Sequence, residues 1–159
     1  IPCRYGDTYG SFIPFLITNT EASLLCYREV TGWAAVLGDI HFGTEEGCAE
    51  VRGSVTRNGV TIARATAMPG DEVVREAPKL PTILYKEIPS IDSRTCDVSR
   101  LIITTSRLEN VALRPGTGTL EFPHSDEPFS YLAPTEIIGT YYGTWDDLYP
   151  ETAAILHQY

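Results

Sequence analysis

The residues with the most chemical reach are three histidines, several neighbouring carboxylates and four cysteines. Asp39 and His41 stand two apart, and on an extended backbone that spacing puts both side chains on one face. So placed, a carboxylate beside an imidazole is an acid–base pair or half of a metal site. The plainer reading is a solvated polar loop with a surface histidine. His124 is followed by Ser125 and Asp126 in a stretch closed by Pro123 and Pro128. These are triad residue types, but triads converge in space from distant positions, so adjacency is no evidence of one. His157 reads as an exposed cation at the end of a terminal helix.

Nothing near Asp39 and His41 in sequence supplies a nucleophile. No serine sits in a G-x-S-x-G turn, and Gly53, Ser54 and Val55 fall inside a strand pattern. Gly116 and Gly118 flank Thr117 with no lysine or helix after them, so they do not make a phosphate loop. The pairs Asp146–Asp147 and Glu45–Glu46 are carboxylates of the kind glycoside hydrolysis uses, but that chemistry depends on a separation across a cleft. H-E-x-x-H and EF-hand patterns are both absent. No catalytic, cofactor-binding or metal residue is therefore assigned, and no cofactor is expected.

Cys3, Cys26, Cys48 and Cys96 are widely spaced, and none forms a C-x-x-C pair. The chain begins Ile1-Pro2-Cys3, as a processed secreted protein would. An even cysteine count in such a chain favours two disulfides, and the pairing Cys3–Cys26 with Cys48–Cys96 is preferred among three connectivities. Four free thiols in a reducing compartment is the alternative. No N-x-S/T acceptor is present, so N-glycans are not expected.

Charge is distributed unevenly. The formal net charge is −9, and residues 115–159 hold seven carboxylates but no Lys or Arg. A nucleic-acid binder needs clustered cations, and so does a protein held on anionic membranes, which excludes both classes. No apolar run approaches the roughly 20 residues of a membrane-spanning helix. The acidic stretch also carries Tyr141, Tyr142, Trp145 and Tyr149. Aromatic anchors with an acidic rim suit a protein partner of cationic surface. The candidate partner-binding residues are Trp145 as centre, with Asp146, Asp147, Tyr142 and Tyr149. The competing reading puts these aromatics in the core.

The elements that would position these groups read as strands. Asn58-Gly59 between runs of Val, Thr and Ile predicts a type I′ hairpin, because both turn residues tolerate positive φ. Its register would oppose Arg57 to Val60, Thr56 to Thr61, Val55 to Ile62 and Ser54 to Ala63. Further strands are expected over 12–18, 22–30, 32–37, 72–75, 82–88, 95–105, 108–114, 119–122, 129–132 and 136–142. Residues 38–47 read as a polar loop, and Pro115 to Gly118 as a turn. Pro150 followed by Ala153, Ala154, Ile155 and Leu156 predicts a short C-terminal helix. With only Lys79 and Lys86 to blunt exposed edges, edge strands need covering.

The expectation is a single all-β domain over 1–159, mainly antiparallel, a barrel or sandwich with a short C-terminal helix. Its function would be that of a secreted, disulfide-stabilised, monomeric binding factor, an effector or toxin-like protein acting by contact rather than by catalysis. A small extracellular hydrolase using paired carboxylates and a barrel carrier of a hydrophobic ligand are the alternatives.

Overall fold

The structure is a computed structural model that describes residues 1–77, 80–92, 94–123 and 131–159. In chain order it contains β1 (Pro2–Tyr5), β2 (Thr8–Ser11), β3 (Leu16–Thr18), α1 (Glu21–Leu25), a π-helical turn (Cys26–Thr31), β4 (Ala35–Leu37), β5 (Asp39–Thr44), β6 (Val51–Arg57), β7 (Val60–Pro69), β8 (Thr82–Pro89), β9 (Cys96–Glu121) and β10 (Thr140–Gln158). Two compact units are built from these. Unit 1 comprises Ile1–Leu37, Pro78–Glu109 and Asp147–Tyr159, and unit 2 comprises Gly38–Ala77 and Asn110–Asp146.

Unit 2 contains the hairpin. Asn58 and Gly59 both take positive φ, 50° and 77°, as the type I′ turn requires. Arg57 opposes Val60 and Thr56 opposes Thr61, as expected, but the register then shifts between Val55 and Thr56. Val55 pairs with Ala63 and Ser54 with Arg64, so the two outer expected pairs are each displaced by one residue. The cause is a bulge, which leaves Ile62 as the extra residue. Ile62 is fully buried, and its burial contributes roughly 1.5–3 kcal/mol, which favours the shift.

Residues 39–44 are not a loop. They form β5, paired antiparallel to β6 and exposed along its whole length. The expected turn at Pro115 to Gly118 is also absent, because β9 continues through it and pairs with β7. Both glycines serve close approach here. A Cβ on Gly116 would fall on the Met68 carbonyl, and one on Gly118 on that of Thr66.

In unit 1, β1 pairs antiparallel with β2, β2 runs parallel to β8, and β8 pairs antiparallel with β9. β3 and β4 make a separate parallel pair. Ile83 and Leu84 are neighbours in β8 and both are buried, so this strand is covered on both faces. The expected strand over 22–30 is helical instead. Thr20 caps α1 by accepting from the Ser23 amide at 3.1 Å, and Glu21 sits in the first turn, where the helix dipole favours a carboxylate.

The expected C-terminal helix does not form. β10 extends to Gln158 and pairs with β9. Thr105 and Thr152 share a side-chain hydrogen bond of 2.7 Å, and the Tyr159 amide donates to the Ser99 carbonyl at 3.0 Å. A two-turn helix is marginal on its own, whereas a ladder partner satisfies the backbone amides. The protein is therefore mostly strands in a mixed sheet with few helices, and the pairing does not close into a barrel.

Candidate functional site

The residues that line a usable cleft come from the π-helical turn of unit 1 and its neighbours. π-helical geometry is rare and recurs at functional sites. Here it is held from both ends. The Thr31 hydroxyl donates to the Tyr27 carbonyl at 2.8 Å. Gly32 closes the turn with φ 76°. A Cβ there would lie 2.6 Å from the Lys86 Cβ, so only glycine allows β8 to pass this close. Lys86 then reaches back, its Nζ donating to the Glu29 carbonyl at 2.6 Å and the Val30 carbonyl at 3.0 Å. A cation on the terminal carbonyls of a helical turn is the favourable end for it.

This scaffold opens a cleft of about 390 Å³ whose walls include Arg28, Glu29, Trp33, Ala35, Tyr85 and Glu87. Trp33 is locked in place. Its indole N–H donates to the Tyr149 hydroxyl at 2.7 Å, and that hydroxyl also bonds the buried Thr104 hydroxyl at 2.9 Å. The Trp33 ring stands edge-on to Tyr27 and Tyr149, at centroid distances of 5.9 and 5.5 Å. Elsewhere in the wall, Tyr85 bonds Ser99 through their hydroxyls at 2.8 Å, and Glu87 accepts from the Cys96 thiol at 2.9 Å. That bond is the chief cause that pushes the Cys96 thiol pKa up, with the carboxylate charges of Glu87 and Asp97 adding to it. Cys96 is therefore a poor nucleophile at neutral pH.

Arg28 is exposed at the cleft mouth and has no ion-pair partner among the described residues. An unpaired guanidinium next to an aromatic wall can fix a carboxylate through two parallel hydrogen bonds while the rest of a small molecule lies against Trp33. Among the described residues no group of three or more His, Cys, Asp or Glu is placed to hold a metal ion.

The residues expected from sequence fare unevenly. Trp145 is about half exposed and lines a different, apolar trough in unit 2 together with Tyr142. Asp146 accepts a hydrogen bond from Asn110 at 2.5 Å, and Asp147 is exposed. Tyr149 is half-buried, and its hydroxyl bonds Trp33 and Thr104 within unit 1. Asp39 and His41 sit on one strand, β5, and not in the polar loop expected there. His124, Ser125 and Asp126 lie outside the described residues, as does Phe129.

The disulfide expectation is overturned, since Cys3, Cys26, Cys48 and Cys96 are all free thiols. Cys3 lies in β1 opposite Gly10, Cys26 opens the π-helical turn, and Cys96 is engaged with Glu87. With the bridges goes the argument for an oxidising compartment. No helix of the described residues is long and apolar enough to cross a membrane.

None of Arg28, Glu29, Trp33, Tyr85 and Glu87 stands out as a site residue in the sequence. The available signal was local: Thr20 and Glu21 as a helix start and Gly32 as its stop.

Known proteins share this architecture. The profile of the acetoacetate decarboxylase (ADC) family matches residues 1–159. The crystal structure of acetoacetate decarboxylase from Legionella pneumophila subsp. pneumophila str. Philadelphia 1 superposes with a TM-score of 0.84 at 25% identity, covering 99% of this chain and 64% of that one. A second acetoacetate decarboxylase structure gives 0.80 at 17% identity, over 100% and 66% of the two chains. The enduracididine biosynthesis enzyme MppR gives 0.76 at 17% identity, over 98% and 62%. The chain thus spans somewhat less than two thirds of the length of these structures. No curated protein sequence matches it.

Proposed function

Since the chain belongs to the acetoacetate decarboxylase family, we propose that it is an enzyme of small keto acids, making or breaking a carbon–carbon bond beside a carbonyl. The family match along the whole chain overturns both expectations from the sequence, a contact-acting secreted effector and a protein without catalysis. The observation that carries the reading is that Arg28, which has no ion-pair partner among the described residues, and a locked Trp33 line one cleft of unit 1. A keto acid has a carboxylate for the guanidinium and a short carbon body for the aromatic wall. MppR, which shares the fold, has been solved with pyruvate, and that fits the same ligand class.

Acetoacetate decarboxylase is itself the standing example of a lysine amine activated by its surroundings for imine formation. This chain has two lysines, Lys79 and Lys86. Lys86 is held by two backbone carbonyls and serves the π-helical turn. Lys79 lies outside the described residues. Within this chain, then, the described cleft provides recognition and proton-bearing groups, and Lys86 is not an imine-forming amine.

The test is ligand binding and turnover with pyruvate and acetoacetate, followed by borohydride reduction and peptide mass spectrometry. Arg28→Ala is expected to weaken binding about 10- to 100-fold, the equivalent of roughly 1.5–3 kcal/mol for a charge-assisted bond. Lys86 is expected to carry no reduced adduct. Equal affinity for parent and Arg28→Ala, or an adduct on Lys86, would sink this assignment of the site.

A further inference from the structure

In unit 2, His41 of β5, Ser54 of β6 and Arg64 of β7 stand opposite one another. Opposed residues share a sheet face with Cβ atoms about 4.5–5.5 Å apart, so the three form one row across three strands. A short side chain lies between two long ones, which leaves a saddle with a donor on either side. Among the described residues, none of the three side chains makes a hydrogen bond or an ion pair. A guanidinium fork, a hydroxyl and a ring N–H are therefore all available to a ligand. His41 bonds neither Ser54 nor Asp39, so the row is a set of donors and not a nucleophile assembled with its base.

The row borders a cavity of about 460 Å³, a size suited to a small molecule. The other charged residues lining it are Glu45 and Arg52. Arg52 is held by Glu45 at 2.8 Å and Glu50 at 3.0 Å, so its charge is already answered. Arg64 is the lining guanidinium without a counterion. Glu121 opposes Arg64 on β9, yet it does not line the cavity and makes no ion pair with it. Asp39 does not line the cavity either. Gly43, opposite Arg52 in the next row, keeps the space open, since a Cβ there would meet nothing within 4 Å.

We infer that unit 2 carries a binding site for a phosphate monoester of a small hydroxylated molecule. The phosphate sits in the saddle between His41 and Arg64, with the ligand's hydroxyls toward Glu45. A phosphate presents three strong acceptor oxygens, one for each residue of the row, and accepts a guanidinium through two parallel bonds. A carboxylate has one oxygen too few to match all three. Glu45 accepts hydroxyl donors and repels a second anion, which orients the ligand. The net charge of −9 opposes this little, because physiological salt screens charges beyond about 8 Å. The site shares no residue with the cleft of unit 1.

Isothermal titration calorimetry at constant ionic strength tests this with glycerol 3-phosphate as the probe, beside inorganic phosphate and glycerol. The ester is expected to bind at one site per chain, inorganic phosphate more weakly and glycerol not at all. Arg64 is exposed, so Arg64→Ala leaves the fold intact and is expected to weaken ester binding about 10-fold or more. Gly43→Leu fills the cavity without removing a donor and is expected to abolish binding. Arg28→Ala, in unit 1, is expected to leave it unchanged. Thermal melts establish that each variant is folded. No ester binding at about 10 mM, parent affinity in folded Arg64→Ala or Gly43→Leu, equal affinity for inorganic phosphate, or loss of binding in Arg28→Ala would each overturn the inference.

Discussion

Removing a single oxygen from Tyr149 should test how the cleft is held. The Tyr149 hydroxyl receives the Trp33 indole N–H at 2.7 Å and bonds Thr104 at 2.9 Å. Thr104 is 2% exposed, so in Tyr149→Phe its hydroxyl has no water to turn to. A buried polar group left without a partner costs about 1–3 kcal/mol. Trp33 is half-buried, and its freed N–H recovers part of its loss by hydration. The expected net cost is about 2 kcal/mol, which for a chain of this size lowers Tm by about 4–8 °C. Thermal denaturation by circular dichroism at matched concentration measures it, and Trp33 emission should shift to the red as the ring loosens. In the double variant with Thr104→Val one orphaned group is removed, so the cost should fall short of the sum of the single effects. A Tyr149→Phe protein that melts within about 1 °C of the parent, with unchanged emission, would refute the idea that this hydroxyl positions the cleft wall.

Further outcomes follow at the hairpin turn and the cysteines. Gly59 holds φ 77° in the hairpin turn, and a Cβ added there would meet nothing within 4 Å, so its constraint is conformational and not steric. Gly59→Val should cost about 1–2 kcal/mol, and an unchanged Tm would dismiss the turn assignment. All four cysteines should be alkylated in the native, unreduced protein. Because Glu87 holds the Cys96 thiol protonated, less thiolate is present at pH 8 and its alkylation rate should keep climbing past the ordinary thiol range. Glu87→Gln should speed Cys96 alkylation at pH 8, and equal rates would remove Glu87 as the cause.

The parts of this protein that were legible in the sequence are those decided within a few residues. Asn58-Gly59 specifies its turn because positive φ at two successive positions is a local steric matter. Alternation of Val, Thr and Ile marks strands, and the strand at 82–88 emerges as β8 nearly as expected. By contrast, Asp39 and His41 share a face because the stretch that reads as a polar loop is a strand, and that follows from its pairing with β6. Local signals at Thr20 and Gly32 also specify a helix, but the β-rich composition around them masks it.

What only the tertiary structure decided depends on partners distant in sequence. The terminal stretch from Ala153 to Leu156 has helical propensity, yet it lies in β10 because β9 is there to satisfy its amides. Gly116 and Gly118 look like a turn until Met68 and Thr66 approach them, and then they read as room for a neighbouring backbone. The bulge that buries Ile62 shifts a register that the turn alone would have continued. Tyr149, which composition placed on an acidic surface, is drawn inward by Trp33, 116 positions away. The cleft itself joins Arg28 to Tyr85 and Glu87 across more than fifty residues. Periodicity and spacing report how a residue relates to its own strand or turn. They do not report which other strand arrives beside it, and here that arrival decides the hydrogen bonds and the lining of the cleft.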